Sequence, residues 1–463
     1  MADSRIDALA DEVAAGNFTD PRLGRRLGLM VRALAVNPGL SFPKVFSSAA
    51  LEGAYRFFGN PAVSADGILS GHFQATRARC LQESVTLVLH DSSKFAFRPD
   101  GKREGLGRLI TSGQVFFAHA ALAIRGDETR HPLGVAGLMT WTRGEVDDKR
   151  TENERDRWRE LVDIAASHLE GAALVHVMDR EADDYGLFAH LLAGGHRFVI
   201  RSMHNRLLVA DSVHAPRKLD DVAARIERTV EREAPLSKRV DGNRSPVQKR
   251  IHPSRSSRIA TLAVGAAPVT LQRPTSQPGS RPASLSLHVV RVWEPDPPLG
   301  EPAVEWTLLT SEPIETVDDL VRIVDWYRAR WTIEEFFKAL KTGCAYEQRQ
   351  LGDYESLVNA LAVFAPIACR MLALRSEARR APDAPATCVV TKVEIDVLRA
   401  LGRRKLSPAP TTREVLLAIA ALGGHIKYSG DPGWLTLARG YSELLTLTRA
   451  WVAARLPPQC DQR

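Results

Sequence analysis

The chain has 463 residues, a formal net charge of +7 and a pI of about 9.2. This length suits two to four domains, and the basic balance favours a polyanionic partner. Five scattered cysteines without a CxxC pair argue against a disulfide framework and a zinc knuckle, and no apolar run approaches the ~20 residues of a membrane span. The acidic N-terminus, MADSRIDALADEV, lacks the basic start of a signal peptide, so we expect a cytoplasmic protein.

Residues 1 to about 75 predict a group of short helices. The segment DPRLGRRLGLMVRALAVNP interleaves arginines with leucines, and SSAALEGAYRFFGNP has a serine start signal and an Asn-Pro stop signal. A small helical unit with arginines on one side is suited to docking on DNA, although an ordinary helical subdomain has the same pattern.

The periodicity changes from Ser84 onwards. VTLVLHDSS predicts a buried strand that ends at Asp91, and QVFFAHAALAIRG and HPLGVAGLMTWTR predict strands of the same sheet. After a predicted helix from about Glu152 to His168, ALVHVMDREADDYGLF repeats the design with a strand that ends at Asp179. Two such strand ends favour a mixed sheet with a site at that edge, although a single aspartate there is more often a turn or N-cap residue.

Residues 203 to about 320 predict β-rich segments separated by loops rich in Pro, Gly and Ser. Between Lys238 and Arg258 there are seven Lys or Arg residues and one Asp, a local excess of +6. A solvated loop and a contact with a phosphate backbone are both compatible with this excess. The chain then becomes mainly helical, and its last predicted helix, from about Trp434 to Leu456, suits either a core or a dimerisation surface.

The most informative stretch is WYRARWTIEEFFKALKT, from Trp326 to Thr342. As one α-helix it would place four polar side chains within about 60° of one another around the axis. These side chains are Tyr327, Arg330, Glu334 and Lys341. Such a face is poor for a core and suits an anion held beside a metal ion, whereas a solvated helix with ion pairs is the alternative.

Three acids occur in the order Asp91, Asp179 and Glu334, within HDSS, VMDREADDYG and a Tyr-Arg-Glu-Lys pattern from Tyr327 to Lys341. With EGAYRF, FVIRSMH, WTLLTSEP and ALGGH, these blocks make the chain similar to the DDE transposases of bacterial cut-and-paste elements, which belong to the RNase H-like superfamily. The resemblance implies an α/β fold in which an RNase H-like mixed-sheet catalytic core with a β-rich insertion is flanked by two helical domains. The implied ranges are 1–75 for a DNA-binding domain, 76–378 for the core with its insertion at about 203–320, and 379–463 for dimerisation.

The same resemblance implies the chemistry. Two divalent ions, Mg²⁺ or Mn²⁺, would be held in each active site by Asp91, Asp179 and Glu334, with Asp91 bridging both, because phosphodiester cleavage needs charge stabilisation on two oxygens. Trp306 would be a platform for a displaced base. The implied DNA-binding residues are Tyr327, Arg330, Lys341, Trp306, Arg201, Arg25, Arg26, Tyr55 and Arg56.

The resulting expectation is a transposase that binds double-stranded DNA at the ends of an element, cleaves there and transfers the 3′ ends to target DNA. It would act as a homodimer in the bacterial cytoplasm, at the nucleoid, without a membrane partner. An RNase H-like nuclease without strand transfer and a catalytically inactive DNA-binding regulator remain open as alternatives. A carbohydrate hydrolase with paired carboxylates would leave Arg330 and Lys341 without a role.

Overall fold

The computed structural model describes residues 4–98, 102–109, 113–143, 154–209, 217–236, 239, 253–426 and 431–455. Within these ranges the chain divides into two compact units. Unit 1 has the bounds Met1–Glu152, Leu161–Ala173 and Trp331–Arg463, and unit 2 has the bounds Asn153–Glu160 and Leu174–Arg330.

Unit 1 opens with helices, as the sequence predicts for residues 1 to about 75. They are α1 (Ser4–Ala14), α2 (Pro21–Val36), α3 (Phe42–Val45), α4 (Ser48–Phe58) and α5 (Ala65–Cys80). Local chemistry fixes their starts. Asp20 caps α2 by accepting a 2.9 Å hydrogen bond from the backbone N of Arg22, and Pro21 suits the first helical position. Ser64 caps α5 in the same way.

Four strands follow in unit 1: β1 (Thr86–Phe97), β2 (Gly107–Leu109), β3 (Gly113–Arg125) and β4 (Pro132–Trp141). β3 pairs antiparallel with each of the other three, and Asp91 stands opposite Ala120 in the middle of β1. The prediction that this strand ends at Asp91 is therefore wrong. The strand continues because Phe95 and Phe97 alternate with less buried residues, so a continuous apolar run gives way to the two-residue period of a strand.

The C-terminal part of unit 1 is helical. After α6 (Glu154–His168), which contributes to both units, it contains α10 (Trp331–Lys338), a π-helical turn (Ala339–Gly343), α11 (Tyr354–Arg380), α12 (Lys392–Leu401), α13 (Thr412–Leu422) and α14 (Trp434–Ala453). α14 packs against α12, α13 and the π turn, so its buried side belongs to the core of unit 1.

The helix α11 is long and apolar enough, by length and composition, to cross a membrane. Within the structure, however, 83% of its apolar window is buried. A core helix has the same composition as a span, so the composition of α11 is weak evidence for a membrane segment.

Unit 2 is organised around a sheet with the strand order β5-β6-β10-β9-β8-β7. The strands are β5 (Leu174–Met178), β6 (Arg197–Arg201), β7 (Val230–Leu236), β8 (Arg258–Gln272), β9 (Ser284–Trp293) and β10 (Glu305–Thr310). The helices are α7 (Tyr185–Ala193), α8 (Leu219–Arg225) and α9 (Val317–Ala329). β5 and β6 are parallel and the other pairs are antiparallel, which confirms a mixed α/β protein with a mixed sheet. The RNase H-like layout and the three domain ranges stay predictions.

Most of the basic segment between Lys238 and Arg258 lies outside the described residues. Arg258 is described, and it forms ion pairs with Glu294 and Glu301, the latter at 2.7 Å. The charge of Arg258 is therefore already balanced within the protein, and it gives no support to the phosphate-contact interpretation of the segment.

Candidate functional site

Two predicted site residues lie at the carboxyl ends of neighbouring parallel strands in unit 2. Asp179 directly follows β5, Arg201 ends β6, and Met178 is paired with Ile200. Continuing that register by one residue puts Asp179 beside Arg201. The half-buried Asp179 also accepts a 2.8 Å hydrogen bond at Oδ1 from the backbone N of Glu181. Asp179 therefore caps a short 3-10 turn, as the simpler interpretation predicts, and it does so next to a cation.

Tyr327, on α9, is the centre of the predicted residues of unit 2. It is 8% exposed, and burial raises the pKa of its hydroxyl group above the ordinary value. Arg201 and Arg330 oppose this rise in pKa through their charges, and Arg201 is also hydrogen-bonded to the hydroxyl. The negative charge of Asp179 acts in the direction of burial and raises the pKa further. Three predicted charged residues therefore lie within electrostatic range of one hydroxyl group.

Trp306 completes this group. It is a half-buried residue of β10, two positions before Leu308, which pairs with Arg201. Its ring centroid is 5.8 Å from that of Tyr327, and the two ring planes are inclined by 59°. Unit 2 thus gathers a carboxylate, two guanidinium groups and two aromatic rings, all of which the sequence singles out.

Lys341 is the corresponding polar group of unit 1. Its Nζ donates a 2.6 Å hydrogen bond to the backbone O of Lys94 and lies 5.1 Å from the ring centroid of Phe95. Burial lowers the pKa of Lys341; the charges of Glu347 and Asp91 oppose that shift in pKa, and the charge of Lys94 adds to it. Lys341 therefore lies within electrostatic range of the predicted catalytic residue Asp91.

Asp91 and Glu334 lie on two elements of unit 1 that pack against each other. Asp91 is in the middle of β1, Glu334 is in the first turn of α10, and α10 packs against β1. Both side chains are half-buried, and Asp91 accepts a 3.0 Å hydrogen bond at Oδ1 from the backbone N of Ser92. Unit 1 therefore holds two predicted acids and one predicted lysine on a strand and the helical segment beside it.

The stretch from Trp326 to Thr342 is not one α-helix, so the prediction of a single continuous face is wrong. α9 ends at the residue before Arg330, whose backbone N donates a 3.1 Å hydrogen bond to the carbonyl of Tyr327. Lys341 then falls in the π turn, where backbone bonds join residues five apart and the step of about 100° per residue does not hold. π turns inserted in α-helices are frequent at functional sites.

The predicted metal ligands are divided between the units: Asp91 and Glu334 belong to unit 1 and Asp179 to unit 2. Neither unit by itself groups three or more His, Cys, Asp or Glu side chains closely enough for a metal ion among its described residues. The three predicted ligands offer carboxylate oxygens, the ligand type that Mg²⁺ and Mn²⁺ prefer. The metal role therefore stays a prediction that donor chemistry supports.

Four predicted DNA contacts lie on α2 and α4, two helices that pack together: Arg25, Arg26, Tyr55 and Arg56. Arg26 is half-buried because its guanidinium group lies against Gly53, and the other three are exposed. Arg32, also on α2, forms ion pairs of 2.8 Å and 2.6 Å with Asp7 and Asp11. The charge of Arg32 is therefore balanced inside the helical region. The exposed Arg56 also forms an ion pair, with Glu52 one turn earlier on α4.

Two acids that the sequence did not single out lie beside predicted residues. Glu347 accepts a 2.9 Å hydrogen bond at Oε1 from the backbone N of Ala96, and its charge acts on Lys341. Asp183, four residues after Asp179, is buried and accepts hydrogen bonds from the segment after β6. The run DREADD signals a dense group of acids, but spacing cannot tell which of them is buried.

Two families match the chain. Residues 6–63 match the family described as Transposase DNA-binding, and residues 142–365 match the family described as Transposase DDE domain. The first match contains the four predicted contacts on α2 and α4; the second contains Asp179 and Glu334, whereas Asp91 lies ahead of it. The chain therefore carries a transposase DNA-binding domain and a transposase DDE domain. It belongs to the DDE transposases.

The chain is also similar to solved structures, among them the cryo-EM structure of a piggyBac transposase synaptic complex with hairpin DNA. The sequence identity is 10%, the similarity covers 97% of this chain and 74% of that chain, and the TM-score is 0.35. This TM-score is too low to define the domain layout of the present chain.

Proposed function

We propose that this DDE transposase binds the two ends of a DNA element, cleaves the strands there and transfers the 3′ ends into target DNA. The observation that carries the proposal is the group around Tyr327. Asp179, Arg201 and Arg330 act on its hydroxyl, and Trp306 lies against its ring. Guanidinium groups suit phosphate oxygens, an indole suits a displaced base, and a carboxylate suits a cation that is shared with phosphate.

In this proposal Asp91, Asp179 and Glu334 would hold two divalent cations, Mg²⁺ or Mn²⁺. The donor set fits hard cations, which take oxygen ligands and keep open positions for substrate. When bound, such cations stabilise charge on the attacking and leaving oxygens of the phosphodiester. The carboxylate of Asp179 would contribute to holding a cation while Oδ1 accepts the capping hydrogen bond from Glu181.

The neighbouring residues bind and orient the DNA terminus. Arg201, Arg330 and Lys341 neutralise terminal phosphates, because a desolvated cation beside a phosphate forms a strong charge-assisted hydrogen bond. Tyr327 donates its hydroxyl proton to a phosphate oxygen, and its raised pKa keeps the hydroxyl protonated at neutral pH. Trp306 stacks on a base that leaves the duplex end, which offsets part of the cost of unstacking.

The remaining parts of the proposal concern assembly. The helices α2 and α4 contact the element's end sequence through Arg25, Arg26, Tyr55 and Arg56. The catalytic core is RNase H-like with a β-rich insertion, and two copies of the chain work together on a pair of ends. The protein acts in the bacterial cytoplasm on nucleoid DNA.

The test uses the purified full-length chain, Mg²⁺ and duplexes made from the genomic DNA that flanks the reading frame. We expect strand cleavage at the ends of the element and joining of pre-cleaved 3′ ends to a plasmid. Asp91→Ala, Asp179→Ala and Glu334→Ala should each lower cleavage on the order of a thousandfold, because several kcal/mol of charge stabilisation is lost.

Glu335→Gln is the matched control for Glu334. Glu335 is the next residue of α10, but it contacts Arg375 and accepts a 2.9 Å hydrogen bond from Nε1 of Trp434. The variant should keep its cleavage rate. Cleavage without joining would make the protein a nuclease. If calorimetry shows no metal binding that depends on the three acidic residues, and Asp91→Ala behaves like the wild type, the protein would be a DNA-binding regulator.

A further inference from the structure

The carboxylate of Asp183 is saturated by hydrogen bonds from the segment that follows β6. Oδ2 accepts from the backbone N of Met203 at 2.6 Å, from the backbone N of His204 at 2.7 Å and from Oγ of Ser202 at 3.3 Å. Oδ1 accepts from Nε of Arg206 at 2.9 Å and from Nη2 of the same residue. One carboxylate therefore holds backbone and side-chain groups at four positions between residues 202 and 206.

The ion pair between Asp183 and Arg206 is buried. The Asp183 side chain is 0% exposed and the Arg206 side chain is 8% exposed. Nη2 of Arg206 also donates a 2.7 Å hydrogen bond to the carbonyl of Asp183, and its guanidinium carbon lies 5.1 Å from the ring centroid of Phe188. Removing one partner of such a pair leaves an uncompensated buried charge, so neither residue moves independently.

These contacts join the two strand ends that carry the predicted site of unit 2. Asp183 ends the 3-10 turn that Asp179 caps, and Ser202 directly follows Arg201. The backbone N of Ser202 also donates a 2.8 Å hydrogen bond to the carbonyl of Thr307, one residue after Trp306. The turn after β5 and the turn after β6 are therefore fixed to each other by one buried carboxylate.

We infer that Asp183, paired with Arg206, is a positioning residue that sets Arg201 against Tyr327 and Asp179 for binding a terminal phosphate. The inference rests on the proposed function, because it assigns Arg201 to that phosphate. Asp183 is fully buried, so it acts through Arg201 and does not touch DNA itself. A displacement of about 1 Å at such a group lowers rates up to about a hundredfold.

The test is a double-mutant cycle on the full-length chain with Asp183→Asn, Arg201→Ala and the double variant. Arg201→Ala should lower cleavage about a hundredfold, as for the loss of one preorganised donor. Asp183→Asn should lower cleavage at least tenfold, on the order expected for a misplaced group. If Asp183 acts through Arg201, the double variant should match Arg201→Ala within about twofold, which is the scatter of independent sites. If the double variant instead shows the product of the two single effects on cleavage, the inference is wrong.

A second readout does not depend on catalysis. The slope of log affinity for the flanking duplex against log salt concentration should decrease by about one phosphate contact in Arg201→Ala. It should decrease by the same amount in Asp183→Asn. If the wild-type chain cleaves no flanking DNA, the proposed function fails, and the salt slopes still test the coupling. If the wild type cleaves and Asp183→Asn keeps the full slope, the inference about Asp183 fails alone.

Asp184→Asn is the matched control. Asp184 is the adjacent buried acid, but it caps α7 through the backbone N of Leu187 at 3.0 Å and pairs with Arg159 at 3.2 Å. Its loss should lower thermal stability and should combine additively with Arg201→Ala. If Asp183→Asn does not fold, Arg206→Lys replaces it in the cycle, since lysine keeps the charge and loses the two-point contact.

Discussion

Burial shifts the pKa of Lys341 in unit 1 and the pKa of Tyr327 in unit 2 with different consequences for the two side chains. Burial lowers the pKa of Lys341, and its ammonium group donates to the backbone carbonyl of Lys94. Burial raises the pKa of Tyr327, whose hydroxyl faces the cations of Arg201 and Arg330. In unit 2 the shift in pKa keeps the hydroxyl in its neutral, proton-donating form; in unit 1 the shift opposes the charged form that a phosphate contact needs.

This difference separates stability from function. A tyrosine that stays neutral when buried is compatible with a stable core. A lysine that stays charged where desolvation disfavours charge lowers the free energy of unfolding at neutral pH. The comparison therefore indicates that Lys341 is retained at some cost in stability, as is common for functional groups. The predictions below test that contrast.

The largest effect is expected for Lys341→Met, which should lower cleavage about a hundredfold by removing one charge from the phosphate site. The folded-state pKa of Lys341 lies below 10.5, so its charge is a penalty on stability that disappears only above the ordinary pKa. The melting temperature of the variant should therefore not fall. Activity assays and calorimetry check both statements, with the exposed Lys338→Met as the control that keeps cleavage. A fall of several degrees with unchanged cleavage would remove Lys341 from the site.

Trp306→Ala should lower cleavage on the order of tenfold, since stacking on one base contributes about 1–3 kcal/mol. A duplex with an unpaired terminal base should recover much of that loss, because the base no longer has to leave a stack. The matched control is Trp293→Ala, in the neighbouring strand β9. No recovery on the unpaired substrate, or equal recovery for both variants, would contradict the assignment.

Tyr327→Phe should lower cleavage on the order of tenfold, since a hydrogen bond to a charged phosphate oxygen contributes about 1.5–3 kcal/mol. The ring that lies against Trp306 is kept, so folding should be unaffected. Because the pKa of Tyr327 is raised above 10.0, the ratio of wild-type to variant rates should stay constant from neutral pH up to that value. Rates that converge well below it would show that the hydroxyl loses its proton earlier than its burial allows.

The smallest effect concerns acid stability of unit 1. The backbone N of Val135 donates to His72 Nε2 at 2.9 Å, and His72 Nδ1 lies 2.5 Å from Glu12. Burial lowers the pKa of His72 below 6.5; for Glu12, hydrogen bonds from His72 and Arg79 outweigh burial and lower the pKa from 4.5 to about 2.

Both groups have lowered pKa values in the folded state, so both contribute stability that is lost as pH falls. The first loss should begin below the ordinary histidine value of 6.5, and the second should lie between 4.5 and about 2. Melting temperatures followed from pH 7 to pH 5 should fall by a few degrees in the wild type. Replacing His72 with glutamine should flatten this upper part, and an unchanged slope would show that His72 does not cause it.

The sequence predicted most of the composition of the site and part of its geometry. The strand-end pattern singled out Asp179, the helical period singled out Tyr327 and Arg330, and the resemblance to the DDE transposases singled out Arg201 and Trp306. The structure places these residues around Tyr327. Spacing failed where the backbone departs from a regular period. The spacing predicted that β1 ends at Asp91, whereas the strand continues to Phe97. It also predicted the position of Lys341 from an α-helical rotation that the π turn does not follow.

The role of Asp183 could not be predicted for a different reason. DREADD contains three aspartates, and each ends up in a different environment: Asp179 caps a 3-10 turn, Asp183 holds the segment after β6, and Asp184 caps α7. Asp179 and Asp184 accept capping hydrogen bonds from residues two and three positions away, whereas the backbone partners of Asp183 lie 20 and 21 residues away. Local propensity carries no information about such partners.

The π turn also predicts how the position of a basic residue should depend on segment length in related sequences. It accommodates one more residue than an α-helical path of the same length. A homologue that is one residue shorter between Lys338 and Gly343 would form a regular helix there. The basic side chain that corresponds to Lys341 would then be rotated by about 100° around the helix axis relative to Glu334. Alignments should therefore show single-residue gaps here only where a basic residue has shifted to a neighbouring column.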